Sequence, residues 1–124
     1  MEQLILHLIG DYVTQTDWMA RNKTRRMSVA VLHAFIYSLP FLLLSPSWLA
    51  MGVIFSTHAL IDRYRLARFV IYAKNKVTEP GMAWADASET GHHKDTPPWL
   101  AFWLLILVDN TMHLAINYAA LRWL

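Results

Sequence analysis

Cysteine is absent from the chain, which excludes disulfides, thiolate metal sites and cysteine nucleophiles together. Any bound metal must be held by nitrogen and oxygen. Charge is scarce too: Asp, Glu, Lys and Arg make up 16% of the residues, against about 25% in ordinary soluble domains. The net charge of +2 is too small for a nucleic-acid partner, and its basic residues are clustered where lipid headgroups would meet them. No phosphate-cradling glycine loop and no Gly-x-Ser-x-Gly elbow is found. Ser56 and Thr57, just before His58, read as helix-packing residues rather than nucleophiles. The opening Met1–Asp17 carries Glu2 and lacks a basic n-region and a small-residue cleavage site, so it reads as part of the mature chain rather than a signal peptide.

What is abundant is apolar surface. Hydrophobic residues reach 56% and lie in blocks, a composition suited to lipid. With 124 residues the chain is long enough for one core only, so a single domain over 1–124 is expected. The predicted fold is an all-α polytopic membrane protein, a four-helix transmembrane bundle with spans at roughly 3–19, 27–44, 47–68 and 98–121. Pro40 marks a kink in the second span, and Pro97-Pro98 suits the first turn of the fourth. The stretch 74–98, rich in Gly, Pro, Thr, Ser and charge, reads as one long cytoplasmic loop. Arg21, Lys23, Arg25 and Arg26 fill the first connection, and Arg63, Arg65, Arg68, Lys74 and Lys76 follow the third span. The second connection has no Lys or Arg. By the positive-inside rule both termini face away from the cytoplasm. The first basic cluster is also a candidate seat for an anionic headgroup.

Three His/Asp pairs share a four-residue spacing inside these spans: His7 with Asp11, His58 with Asp62, and Asp109 with His113. Residues four apart lie on one helix face, and an ionised carboxylate at the centre of a membrane helix costs about 2.5–3.5 kcal/mol. Three such pairs need a common reason, and a divalent metal supplies one. The order inverts on the ascending fourth span, so antiparallel threading places the three carboxylates in one layer and the three imidazoles about 6 Å deeper. His33 and Gln15 are expected nearer the cytoplasmic opening. Imidazole and carboxylate suit zinc first, with manganese, iron and nickel as alternatives. Six candidate ligands exceed one tetrahedral ion, so either two ions bind or some carboxylates orient the histidines. The metal candidates are therefore His7, Asp11, His58, Asp62, Asp109 and His113. The catalytic candidates are His33, as proton donor to a leaving group or as a further ligand, and Asp11 and Asp62, as general base. The same residues also suit a neutral network that holds helices together, or a proton path. The six tryptophans read as interfacial anchors, and His92, His93 and Asp95 as loop residues rather than extra ligands or a lid.

The run His7-Leu8-Ile9-Gly10-Asp11-Tyr12-Val13-Thr14-Gln15-Thr16-Asp17-Trp18-Met19-Ala20, followed by Lys23, resembles the opening signature of a membrane family of bacteria and phages, domain of unknown function 3307. The resemblance continues through Leu32-His33-Ala34, Thr57-His58-Ala59-Leu60-Ile61-Asp62 and Val108-Asp109-Asn110-Thr111-Met112-His113. Family members often carry Asp-Gln where this chain has Asp109-Asn110. The resemblance implies a bacterial inner (cytoplasmic) membrane location and supplies no reaction. The chain is more loosely similar to bacterial inner-membrane metal-dependent hydrolases, which also carry His and Asp on short apolar helices. The leading expectation is accordingly a metal-dependent hydrolase acting at the cytoplasmic side on a lipid or a lipid-linked phosphate or ester. The alternatives are a proton or metal-ion transporter or channel, and a small membrane accessory or phage-encoded modulator protein. Membrane lipid is the expected partner, with self-association into a homo-oligomer also open.

Overall fold

The computed structural model describes residues 1–124 and is all-α, with no strand. Seven α-helices follow in order: α1 Glu2–Leu8, α2 Asp17–Asn22, α3 Met27–Ser38, α4 Trp48–Tyr64, α5 Ala67–Thr78, α6 Trp84–Ala87 and α7 Pro98–Trp123. The chain divides into two compact units, Met1–Tyr64 with His113–Leu124, and Arg65–Met112.

In the first unit the buried face of α3 runs through Val29, Ala30, His33, Ala34, Tyr37 and Ser38, the stripe a 3.6-residue period produces. On α4 the matching stripe is Ala50, Ile54, His58, Ile61 and Asp62, and these two helices pack together. His113, Asn117 and Ala120 form the buried stripe at the C-terminal end of α7. Tyr37, Phe41, Ala50, Ile54 and Ala120 belong to the apolar core, at one end of which the histidines collect.

Two of the expected spans differ from a continuous helix, each for a local reason. The segment 3–19 breaks: α1 ends at Leu8, a π-helical turn covers Ile9–Val13, and α2 restarts behind Thr16, whose side chain accepts from the Met19 N–H at 3.3 Å. The wide turn sits at Gly10, where a Cβ would stand 2.7 Å from Tyr37 Cδ2 and 2.8 Å from the Tyr37 carbonyl oxygen. Only glycine admits so close an approach of α3. The segment 47–68 also breaks, because Arg65 adopts φ 52° and ends α4 at Tyr64. The proline in the second span acts as expected in place but not in form. Without its N–H the α-helix stops at Ser38 and tightens into a 3-10 helix, Leu39–Leu44, closed by Ser45 at φ 50°.

Two helical stretches are long and apolar enough to cross a membrane: Met27–Leu44, with mean hydropathy 2.0, and Pro98–Trp123, with mean hydropathy 1.5. The second unit corrects the reading of 74–98 as loop throughout. Lys74–Thr78 completes α5, and Trp84–Ala87 forms a further helical turn. Trp84 stacks on Phe69 at 4.9 Å and meets Tyr72 edge-on at 4.9 Å, so aromatic packing orders a stretch whose polarity suggested none.

Candidate metal centre

Four side chains from three parts of the first unit converge: Asp11 from the π-turn, His33 from α3, and His58 and Asp62 from α4. All four are buried, and their ligand atoms lie within 4.8 Å of one another. His33 Nε2 is 3.1 Å from Asp11 Oδ1 and 3.4 Å from Asp62 Oδ2. His58 Nε2 is 3.1 Å from Asp62 Oδ2 and 3.9 Å from Asp11 Oδ1. Tetrahedral ligands about 2.0–2.1 Å from one ion stand roughly 3.3 Å apart, and these four separations bracket that length.

The pair on α4 shows why the group fits a cation. His58 Nε2 and Asp62 Oδ2 are 3.1 Å apart without the alignment of a hydrogen bond, which leaves buried His58 Nε2 without one, while Asp62 Oδ2 is met by the Lys23 ammonium at 2.9 Å. Buried polar atoms in that state are costly unless something else meets them. Two imidazoles and two carboxylates form a donor set suited to zinc, manganese, iron or nickel.

Lys23 enters the same space. Its Nζ lies 2.9 Å from Asp62 Oδ2, 3.6 Å from Asp11 Oδ1 and 3.4 Å from His33 Nε2. Of the four basic residues in the first connection, Arg21, Arg25 and Arg26 are exposed and Lys23 turns inward. The short helix α2 carries it there: Thr16 caps the start, Met19 is buried, and Lys23 follows one turn later. Arg63 Nη1 donates to the Thr24 carbonyl at 2.9 Å and holds the adjoining turn against α4. The sequence signal for this role was that Lys23 closes the motif begun at His7.

Behind these residues lies a neutral polar layer centred on Tyr37. Its hydroxyl is 2.8 Å from His7 Nδ1 and receives Asn117 Nδ2 at 2.6 Å. Its ring stacks on His58 at 3.6 Å. His7 thus shares the Tyr37 hydroxyl instead of standing among the four. His113 lies between the layers, with Nε2 3.8 Å from Asp62 Oδ1 and its ring 4.2 Å from that of His58. Tyr37 and Asn117 were not singled out from sequence, although each repeats the four-residue spacing, after His33 and after His113 respectively.

The two-layer arrangement therefore changes in composition. His33 joins the carboxylates, His58 reaches Asp62 on its own helix, and His7 drops to the tyrosine layer because the π-turn rotates Asp11 out of strict register with it. Asp109, on the portion of α7 assigned to the second unit, is half-buried. Also in the second unit, His92 is buried with Nδ1 3.4 Å from Asn75 Nδ2. Burial, with the Lys74 ammonium as the lesser cause, lowers its pKa below the ordinary histidine value.

The sequence profile described as "Protein of unknown function (DUF3307)" matches residues 1–121. No curated protein and no solved structure matches the chain.

Proposed function

The chain belongs to the DUF3307 family, whose function is unknown, and from the side chains of its buried cluster we propose a divalent-metal-dependent membrane hydrolase. The observation that carries the reading is the convergence of Asp11, His33, His58 and Asp62, with buried His58 Nε2 lacking a hydrogen bond. Zinc is the leading occupant. A divalent ion in such a site lowers the pKa of water and polarises a phosphoryl or carbonyl oxygen.

The chain's own groups supply the rest. His58 and Asp62 are held by Tyr37 stacking and by α4 itself, which fixes the ligand directions before an ion arrives. If His58 and Asp62 hold the ion, Asp11 and His33, in contact at 3.1 Å, remain to take and to give a proton. Lys23, at the C-terminal end of α2, is the cation best placed to meet an anionic substrate group. A lipid or lipid-linked phosphate or ester, approached from the cytoplasmic side, is the substrate class this suits.

A membrane setting is supported by α7, whose most apolar stretch is only 11% buried, and by Leu43 and Trp48, exposed at 81% and 88%. In our reading the α1 to π-turn segment and α4 are also embedded, giving four membrane segments in all. Elemental analysis of protein purified in detergent should find zinc, manganese, iron or nickel near one equivalent. Asp62→Asn and His58→Ala should each lose it, together with release of product from lipid extracts. Wild-type protein that retains no ion after loading with any of the four would refute the proposal.

A second reading rests on Lys23. An ammonium 2.9 Å from Asp62 already balances one buried carboxylate, and a Lys–Asp–His chain can relay protons without metal. It predicts proton flux in proteoliposomes that Asp62→Asn abolishes and that added chelator leaves unchanged.

A further inference from the structure

Helix α5 presents an exposed apolar stripe, at one end of which Phe69 stacks on Trp84. Phe69, Val70, Ala73 and Val77 follow the i, i+1, i+4, i+8 pattern and are all exposed, at 44%, 46% and 80% for Phe69, Val70 and Val77. Ala67 and Ile71 occupy the buried face. The charge along this segment is of one sign. From Arg65 to Thr78 the cations are Arg65, Arg68, Lys74 and Lys76, and no Asp or Glu is present.

Those cations are positioned rather than neutralised. Arg65 donates to the Glu89 carbonyl at 2.7 Å and Arg68 to the Ser88 carbonyl at 2.9 Å, both uncharged acceptors. Lys76 donates to the carbonyls of Pro80 and Met82. The Arg68 guanidinium also lies 4.8 Å over the Phe69 ring and 5.5 Å over Trp84. Basic groups interleaved with aromatic rings beside a narrow apolar stripe match the chemistry of a lipid headgroup layer, where an apolar body sinks and a charged tip stays wet. The stripe falls well short of the roughly 20–30 residues per side of a stable protein interface.

We propose that α5 lies in the plane of an anionic leaflet, with Phe69, Val70 and Val77 at the acyl boundary and Arg65, Arg68, Lys74 and Lys76 against lipid phosphates. This surface belongs to the second unit, and the proposal holds whether or not an ion binds the histidine cluster. Each Lys or Arg near an anionic surface raises affinity about fivefold, so the preference for charged lipid is large and lost at high salt.

The cysteine-free chain makes the test direct. Val77→Cys and, as a control in the exposed loop, Lys94→Cys carry a spin label in full-length protein, in nanodiscs of phosphatidylcholine alone or mixed with phosphatidylglycerol. The Val77→Cys label should be several-fold less accessible to a water-soluble nickel chelate than the control, and more so in the anionic discs. Adding Lys74→Gln should remove about fivefold of that anionic preference. A Val77→Cys label as open to the chelate as the control overturns the proposal. Equal shielding in both discs overturns the anionic preference, and dipolar broadening between labels on two chains would assign the stripe to a second copy instead.

Discussion

In the first unit His7, His33, His58 and His113 are exposed by 2% or less, and the carboxylates of Asp11 and Asp62 stand among them. In the second, His93 Nδ1 lies 3.3 Å from Asp95 Oδ2, but the Asp95 side chain is 80% exposed. The residue types match, and so nearly do the distances. Solvent separates the two cases: an exposed ion pair contributes about 0–1 kcal/mol, whereas a buried carboxylate without its cation is left with an uncompensated charge. Chemistry therefore collects where the core has removed water, and a His/Asp pair in a loop is a poor guide to it.

Asp62 is where the contrast should break most sharply. Asp62→Asn removes the charge facing Lys23 at 2.9 Å and should cost about 3–5 kcal/mol in detergent unfolding experiments, along with the bound metal. An unchanged midpoint would mean that the buried ion pair does not form. Gly10→Ala tests the π-turn. Its Cβ meets the Tyr37 backbone at 2.8 Å, so about 1–3 kcal/mol of overpacking is expected, and metal retention should fall because Asp11 is carried away from His33.

Tyr37→Phe sharpens the division between the two polar layers. It leaves His7 Nδ1 and Asn117 Nδ2 without the hydroxyl they share, at a cost of about 1–3 kcal/mol, while metal content stays at the wild-type level. Loss of metal in that variant would place the tyrosine layer inside the site. The smallest effect belongs to the second unit: His93→Ala should change stability by less than about 0.5 kcal/mol and leave metal content untouched.

The recurrence of His and Asp four residues apart was enough to nominate Asp11, His58 and Asp62, since helical periodicity alone puts such residues on one face. Lys23 escaped notice as a site residue because a basic run beside an apolar span serves equally well as a topology signal. The helical end of α5 escaped because its apolar positions are interleaved with Lys and Asn, and the partners of Asn75 and Lys76, the Gly91 and Met82 carbonyls, lie beyond the helix.

Composition and periodicity were sufficient for the helical class, the apolar stripes and the polar residues upon them, because each is a property of neighbours along the chain. Which histidine meets which carboxylate was settled by packing. A π-turn at Gly10, a capped turn at Thr16 and the ring of Tyr37 rotate side chains by fractions of a helical turn, and such rotations are dictated by residues distant in the chain. That is why His33, from another helix, stands beside the Asp11 carboxylate while His7 meets the Tyr37 hydroxyl.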